Sequence, residues 1–285
     1  MTKDGTRMAT SLLTTDSHHV THQERTQWYW VTKGWVDRAV ALLLLIPGLP
    51  MIGVLVLIIK ANSRGPGIYS QQRVGKNGRI YTMYKLRSMR SDAETSTGPV
   101  WSPPGSDPRV TWLGYWLRKL HLDELPQLFN VLKGEMSLIG PRPERPEFVA
   151  MLSKAIPDYR QRLQITPGVT GLAQINLPPD TELDDVRRKL VLDREYIEKA
   201  GLLLDVRILL CTFLRLCGLR GEMAMHAMRL HRTVELPAAR PRLAESTNAL
   251  PLVAPREVRE SAVEVLAAPC VAGPCEGSIA ATVMS

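Results

Sequence analysis

The longest apolar stretch of the chain lies near its N-terminus. No charged residue occurs in residues 39–59, and at about 1.5 Å per residue a straight helix of this length could just cross a hydrocarbon core. Pro47 and Pro50 lie in the middle of the run, where proline removes a helical hydrogen bond. Basic residues flank both ends, which the positive-inside rule places on the cytoplasmic side. The pattern favours a re-entrant membrane helix over residues 33–60, while a kinked spanning helix and a buried soluble helix stay open.

Alternation of side chains after the apolar run predicts a β-hairpin. Residues 67–74 and 79–88 flank Lys76-Asn77-Gly78, and Asn-Gly is a strong signal for a tight turn. Lys85 and Arg87 share one face of the second strand because side chains alternate along a strand. Two neighbouring cations can bind a phosphate, although a solvated strand face accounts for the same pattern.

Apolar residues at helical spacing predict further helices. Residues 111–121 carry two tryptophans one turn apart beside basic side chains, which suits a helix in a membrane interface or ordinary packing against the domain. Residues 183–200 form a helix that Gly201 would end. Residues 202–216 are too short to span with their charges and could lie along a membrane surface. Residues 91–110 are rich in glycine and proline and predict a loop.

Asp123 precedes another helical run of apolar residues. It therefore lies where a helix N-cap belongs, with Pro126 in the first turn. The same position suits a nucleophile, because a helix N-terminus and nearby Arg118 would favour the ionised carboxylate. With adjacent Glu124 it could also share a divalent cation with a diphosphate. Spacing alone leaves capping and catalysis open.

Arg142 lies between two prolines, which hold its backbone extended and rigid. A rigidly placed guanidinium suits a phosphate clamp. A polar turn is the alternative explanation for Gly140-Pro141-Arg142-Pro143.

Charge and composition narrow the partners. The 285-residue chain has a formal charge of +8, which suggests nucleic acid, anionic lipid or phosphorylated substrates. No nucleic-acid recognition motif is found, and the basic residues lie beside apolar segments, so nucleic acid is not an expected partner. Polar residues 1–32 predict a flexible N-terminal arm, and aromatic-free residues 221–285 predict a disordered C-terminal tail. Residues 61–220 are then the soluble domain.

Several motifs follow one another in a fixed order between residues 33 and 219. Together they resemble the bacterial sugar transferase family, also called monotopic phosphoglycosyl transferases. The matching segments are Trp35-Val36-Asp37-Arg38, residues 73–78, residues 84–89, residues 122–137, Gly140-Pro141-Arg142-Pro143 and residues 167–174. The resemblance implies an α+β, mainly helical fold, in which a re-entrant membrane helix adjoins a small cytoplasmic catalytic domain with a β-hairpin and interfacial amphipathic helices.

The resemblance also implies a reaction. The family moves a phosphosugar from a UDP-sugar to a polyprenyl phosphate such as undecaprenyl phosphate, at the cytoplasmic face of the bacterial inner membrane. Asp123 matches the nucleophile, Glu124 the second member of the dyad, and a magnesium ion (Mg²⁺) is expected at both. The matching substrate-binding residues are Lys85, Arg87, Arg118, Arg142 and Gln174.

Other consequences of the resemblance stay open. Membrane lipid is an expected partner, and a homodimer is not excluded. The chain departs from the family at Leu49-Pro50, Thr166, Leu172 and Asn176-Leu177-Pro178; the last three lie near presumed substrate contacts, so the sugar stays undetermined. A catalytically inactive membrane scaffold in a polysaccharide assembly complex is the alternative function, against which the intact Asp123, Glu124 and Arg142 argue.

Overall fold

The computed structural model describes residues 5–94, 107–236 and 282–284. In this part the chain is mainly helical, and its strands form sheets of two strands each, which confirms the predicted fold class at that level. The helices are α1 (Gly5–Asn62), α2 (Trp112–Lys119), α3 (Gln127–Lys133), α4 (Pro146–Ala155), α5 (Leu172–Asn176), α6 (Leu183–Lys199), α7 (Leu202–Leu216) and α8 (Gly221–Ala227). The strands are β1 (Ile68–Val74), β2 (Ile80–Leu86), β3 (Ser137–Ile139), β4 (Gly168–Thr170), β5 (Thr233–Glu235) and β6 (Thr282–Met284).

Helix α1 continues through Pro47 and Pro50, where the sequence predicted a break. Each proline lacks the N–H that an interior helical residue donates, yet the helix resumes on both sides without a gap. Its segment Gln27–Asn62 is long and apolar enough to cross a membrane, by length and composition. Because α1 begins at Gly5, most of residues 1–32 is helical, which differs from the predicted flexible arm. A re-entrant path through a membrane stays a prediction.

A buried charged cluster fastens the start of the apolar segment to the domain. Lys33 Nζ lies 2.8 Å from Asp205 Oδ2 and 3.3 Å from Asp37 Oδ2. The hydroxyls of Tyr29 and Tyr196 each donate to Asp205 at 2.7 Å. Removing one partner from a buried ion pair is strongly destabilising, so this cluster holds α1 firmly against α6 and α7.

Strands β1 and β2 pair antiparallel, with Ile68 opposite Leu86. In the connection, Asn77 has a φ of 56° and Gly78 a φ of 80°. Asparagine and glycine adopt this left-handed conformation more readily than other residues. The Asn-Gly pair that predicted the turn therefore supplies the geometry that reverses the chain.

Lys85 lies on the buried face of β2. Tyr81 and Met83 are buried in the core, and alternation puts Lys85 on the same side of the strand. Arg87 follows just beyond the end of β2, where the strand register no longer fixes its direction. The strand thus carries a lysine to the margin of the core.

A short parallel pair, β3 and β4, brings two glycine-containing motifs together. Ser137 lies opposite Gly168, and a Cβ atom added at Gly168 would lie 2.0 Å from the backbone nitrogen of Gly140. No side chain fits between these backbones. The amide of Gly168 donates to the carbonyl of Pro141 at 2.9 Å, which fixes the chain immediately before Arg142.

The C-terminal part of the domain extends past the predicted boundary. Helix α6 agrees closely with the predicted helix over 183–200. Helix α8 and strand β5 then pack on the domain, with Ala224 and Leu230 fully buried, and β5 pairs antiparallel with β6. The predicted disordered tail over 221–285 is therefore wrong for residues 221–236. Residues 237–281, like residues 95–106 of the predicted loop, lie outside the described part.

Candidate active site

Asp123 and Glu124 lie on a short 3₁₀ turn, Leu122–Glu124, between α2 and α3. His121 precedes the turn with a φ of 53°, a left-handed conformation that reverses the chain after α2. Helix α3 begins only at Gln127, and no side chain caps it. Asp123 is therefore not the helix N-cap that the spacing predicted; it is a buried carboxylate on a turn.

Glu124 is held by two cations. Lys85 Nζ donates to Glu124 Oε1 at 2.8 Å, and Arg142 Nη2 donates to the same oxygen at 3.3 Å. Burial alone would raise the pKa of Glu124, but the charges of Lys85 and Arg142 and the lysine hydrogen bond lower it far below its ordinary value. Glu124 is thus a permanent anion near neutral pH.

The pKa of Asp123 moves in the opposite direction. Burial raises it, the charge of Lys85 opposes this rise, and the charge of Glu124 adds to it. The positive charge of Arg118 also lowers this pKa but does not offset burial. The direction of this shift is therefore opposite to the one that a helix end and Arg118 would give. No hydrogen bond or ion pair to its carboxylate is found among the described residues.

Arg118 and Arg142 reach this region from separate elements. Arg118 lies on α2, which packs so closely on the end of β2 that a Cβ at Gly114 would lie 1.8 Å from the carbonyl oxygen of Ser88. Its Nε donates to Ser88 Oγ at 2.9 Å. The side chain of Arg142 is half-exposed, so one face of its guanidinium is open to a substrate while another holds Glu124.

Arg87 is not brought to the dyad. Its guanidinium donates to the carbonyl oxygens of Arg64 and Ser63 at 2.8 and 2.9 Å. Arg87 therefore fastens the C-terminal end of α1 to the sheet, and a role in substrate binding finds no support in its position. Its partner on the strand, Lys85, makes the contact with the dyad.

Gln174 lies on α5, in a small cavity that it shares with Arg142. Its amide nitrogen is buried and has no hydrogen-bond partner among the described residues. Of the predicted site residues, the structure thus groups Asp123, Glu124, Lys85 and Arg142, with Arg118 beside them and Gln174 in the neighbouring cavity.

Comparison with known proteins identifies the family. The sequence profile described as bacterial sugar transferase matches residues 28–218. The chain belongs to the bacterial sugar transferase family. The match covers the charged cluster at Lys33, the dyad and every helix from α2 to α7.

Relatives of this sugar transferase carry related names. An undecaprenyl-phosphate glucose phosphotransferase of Komagataeibacter xylinus is 41% identical over 194 residues, 66% of this chain and 36% of that protein. A UDP-N-acetylgalactosamine-undecaprenyl-phosphate N-acetylgalactosaminephosphotransferase of Aeromonas hydrophila is 42% identical over 182 residues, 62% of this chain and 43% of that protein. The chain thus spans less than half of these two relatives.

A shorter relative is matched over most of its length. The exopolysaccharide production protein PSS of Rhizobium leguminosarum bv. phaseoli is 38% identical over 177 residues, 60% of this chain and 86% of that protein. The names of the relatives differ in the sugar, glucose in one and N-acetylgalactosamine in another.

Several residues near the sugar transferase dyad could not be recognised from the sequence. Ser88 orients Arg118, and Arg162 Nη2 donates to the carbonyl oxygen of Arg142 at 2.9 Å. Asp180 lines the cavity beside Gln174. Asp180 follows Pro178 and Pro179, and this stiff turn was the one local signal that its carboxylate has a fixed place.

The carboxylate oxygens of Asp123 and Glu124 can be compared with the ligands that a magnesium site requires. In the described residues, no three His, Cys, Asp or Glu side chains lie close enough together to hold a metal ion. Mg²⁺ commonly uses one or two carboxylates together with water and substrate phosphates, so Asp123 and Glu124 fit a site that a diphosphate completes. Asp123 is the freer donor, because Lys85 and Arg142 already neutralise Glu124.

Proposed function

We propose that this protein transfers a phosphosugar from a UDP-sugar to a polyprenyl phosphate, undecaprenyl phosphate above all, and releases UMP. The observation that carries the proposal is the buried Asp123 carboxylate, which has no hydrogen-bond or ion-pair partner in the described residues and interacts electrostatically with Lys85, Arg118 and Arg142. Such an arrangement suits a nucleophile that attacks an anionic diphosphate. The names of the relatives support the donor and the acceptor.

The reaction has two displacement steps. In the first, an Asp123 oxygen forms a bond to the phosphorus that carries the sugar, the bond from that phosphorus to the bridging oxygen breaks, and UMP leaves with that oxygen. In the second, a phosphate oxygen of the polyprenyl phosphate bonds to the same phosphorus, and the Asp123–phosphorus bond breaks. The carboxylate is restored, and the product is a polyprenyl-diphosphate-sugar. Covalent catalysis of this kind splits one difficult transfer into two easier ones.

The charged side chains serve both steps. Arg142, half-exposed, binds diphosphate oxygens, and Arg118 balances charge on the side of Asp123. Glu124 stays ionised because its pKa is lowered, so it orients Lys85 and does not donate a proton. Asp123 and Glu124 would hold a magnesium ion, which when bound supplies further positive charge to the diphosphate.

The lipid acceptor requires a site at a membrane, and we place this one at the cytoplasmic face of the bacterial inner membrane. On α2, Trp112, Tyr115 and Trp116 are exposed, as are Val206 and Phe213 on α7. Exposed aromatic side chains beside basic residues suit the interface between lipid and water.

Two attachments support a re-entrant path for the apolar segment of α1. At one end Lys33 pairs with Asp205 at 2.8 Å. At the other end Arg87 holds the carbonyl of Ser63 at 2.9 Å. Both attachments are to the domain that carries the dyad, so a path that returns both ends to one side of the membrane satisfies them together.

Release of UMP by detergent-solubilised protein tests the function. Wild-type protein with a panel of UDP-sugars should release UMP, and the product should carry the sugar when polyprenyl phosphate is present. Without acceptor, a labelled phosphosugar should stay attached to the protein. Asp123→Asn should abolish both signals, whereas Asp184→Asn, on the surface of α6, should retain them. Equal UMP release by wild type and Asp123→Asn would refute the nucleophile assignment.

A further inference from the structure

Asn130 is a fully buried polar residue that the two displacement steps do not use. It lies in the middle of α3, the helix that begins three residues after Glu124, and its exposed fraction is 0%. A buried side-chain amide is costly unless its donors and its acceptor are paired. The partners of Asn130 therefore show what this residue holds in place.

The side chain of Asn130 binds the backbone of β2. Its Nδ2 donates to the carbonyl oxygen of Thr82 at 2.7 Å, and its Oδ1 accepts the amide of Tyr84 at 3.2 Å. Thr82 and Tyr84 are two positions apart, so their backbone groups point to the same edge of the strand. Strand β2 pairs with β1, and no third strand joins this sheet among the described residues. The amide of Asn130 thus takes the place of a backbone residue from a neighbouring strand.

A third hydrogen bond fixes the direction in which the amide faces. Nδ2 of Asn130 also donates to Glu135 Oε2 at 2.6 Å, on the segment that follows α3. Both N–H groups of the amide are then used. A flipped amide would direct Oδ1 at two acceptors, the carbonyl of Thr82 and the carboxylate of Glu135. Asn130 therefore permits one register of α3 against β2.

The two elements that Asn130 joins lead to the two partners of the ion pair at the dyad. Lys85 directly follows Tyr84 on β2, and Glu124 lies on the turn that leads into α3. Lys85 Nζ lies 2.8 Å from Glu124 Oε1. A hydrogen bond is lost when donor and acceptor move about 1 Å further apart. A shift of the strand along the helix would therefore break this contact.

We propose that Asn130 is a positioning residue, which holds β2 on α3 in the register at which Lys85 reaches Glu124 and supplies positive charge to the neighbouring Asp123. The inference rests on the proposed function, because the rate that it affects is that of the proposed transfer. The charge of Lys85 lowers the pKa of Asp123 against the rise that burial causes. Loss of the register should therefore leave less of Asp123 ionised at a given acidic pH.

A general contribution to stability is the alternative explanation, and Asn176 offers a matched comparison. Its Nδ2 donates to the carbonyls of Leu172 and Leu230 at 2.9 and 3.0 Å, and its Oδ1 accepts the amide of Arg232 at 2.9 Å. Asn176 thus makes two donations and one acceptance, as Asn130 does. It joins α5 to the segment between α8 and β5, which lie outside β2 and the turn of the dyad.

Lysine labelling tests the position of Lys85 without using activity. Full-length, detergent-solubilised protein is treated briefly with an amine-acylating reagent, and mass spectrometry gives the extent of labelling at each lysine. Lys189 is the internal reference, because its Nζ also lies 2.8 Å from a carboxylate, that of Asp180, and its side chain is 17% exposed against 18% for Lys85. In Asn130→Ala, labelling of Lys85 relative to Lys189 should rise roughly fivefold, the factor that corresponds to the loss of one hydrogen bond. In Asn176→Ala this ratio should not rise.

Single-turnover release of UMP from a UDP-sugar tests the consequence for the rate. Asn130→Ala should move the acid limb of the pH profile to higher pH and lower the plateau rate by up to about 100-fold, the effect of a misplacement of about 1 Å. Added to Lys85→Met, the same substitution should lower the rate by about twofold at most, because the lysine through which Asn130 acts is already gone. Asn176→Ala should leave the acid limb unchanged and change the rate by the same factor in both backgrounds.

The outcomes separate this inference from the proposed function. If Asn130→Ala does not fold, Asn130→Ser replaces it, since serine can still bind one of the backbone groups. An unchanged ratio of Lys85 to Lys189 labelling, or a rate loss that is equal with and without Lys85, would show that Asn130 only stabilises the fold, and the proposed function would stand. If wild type releases no UMP from any UDP-sugar, the proposed function fails, and the labelling ratio alone decides whether Asn130 holds Lys85 in place.

Discussion

Lys85 gives the sharpest test of the dyad's electrostatics. Its ammonium group lies 2.8 Å from Glu124 Oε1 and is the largest charge that lowers the pKa of Asp123. Burial already raises that pKa, so Lys85→Met should raise it further, because a nearby opposite charge is lost. Asp123 attacks only as the carboxylate. Activity falls as pH falls through this pKa, so the acid limb should move to higher pH in the variant.

The rate should also fall on the plateau of the profile. Removing one preorganised positive group from a charge-stabilised transition state costs about 100-fold in rate, or about 2.7 kcal/mol. The variant also loses a largely buried ion pair, because the two side chains are 18% and 15% exposed. We expect this to lower the free energy of unfolding by about 2 kcal/mol, so assays belong well below the melting temperature.

The assay is single-turnover release of UMP from a UDP-sugar between acid and neutral pH. Lys154→Met, on the exposed side of α4, is the control and should keep both rate and profile. Lys85→Arg keeps the charge and should retain the acid limb while losing rate through its different shape. An unshifted acid limb in Lys85→Met, with a rate loss under tenfold, would show that Lys85 neither lowers the pKa of Asp123 nor stabilises the transition state.

Two further predictions concern the attachment of α1. Arg87→Met should lower the melting temperature, because the carbonyls of Ser63 and Arg64 lose their donor. The affinity for UMP should be unchanged. A selective loss of UMP binding would show that Arg87 contacts the substrate. Two variants without native cysteines carry one new cysteine each, at exposed Thr32 or at exposed Asn62. Both cysteines should react with an impermeant thiol reagent from the cytoplasmic side of membrane vesicles. Labelling from opposite sides would rule out a re-entrant path.

Local patterns predicted the elements well where a single physical cause dominates. The helix over 183–200 agrees with α6 because its apolar residues repeat every three to four positions. The Asn77-Gly78 turn forms because its left-handed conformations suit these residues. The predicted helix break failed at Pro47 and Pro50, since helical bonds on either side of a proline can maintain the helix.

The boundaries of the domain could not be found from composition. Residues 221–236 lack aromatic side chains but bury Ala224 and Leu230 in the core. Small apolar residues have no distinctive pattern, and burial depends on the surface that α7 offers them. The N-cap prediction for Asp123 failed for a similar reason, because the 3₁₀ turn delays the start of α3 to Gln127.

The sequence alone indicates which residues could form the reactive centre, through the order of motifs around Asp123, Glu124 and Arg142. It could not separate Lys85 from Arg87, which share a strand face by alternation alone. The tertiary structure decided this, because α1 ends beside Arg87 while the turn after α2 brings Glu124 to Lys85. It also set opposite pKa shifts in the two carboxyl groups, since burial raises the pKa of Asp123 and two cations lower that of Glu124. Both effects depend on distances between segments that are far apart in the chain.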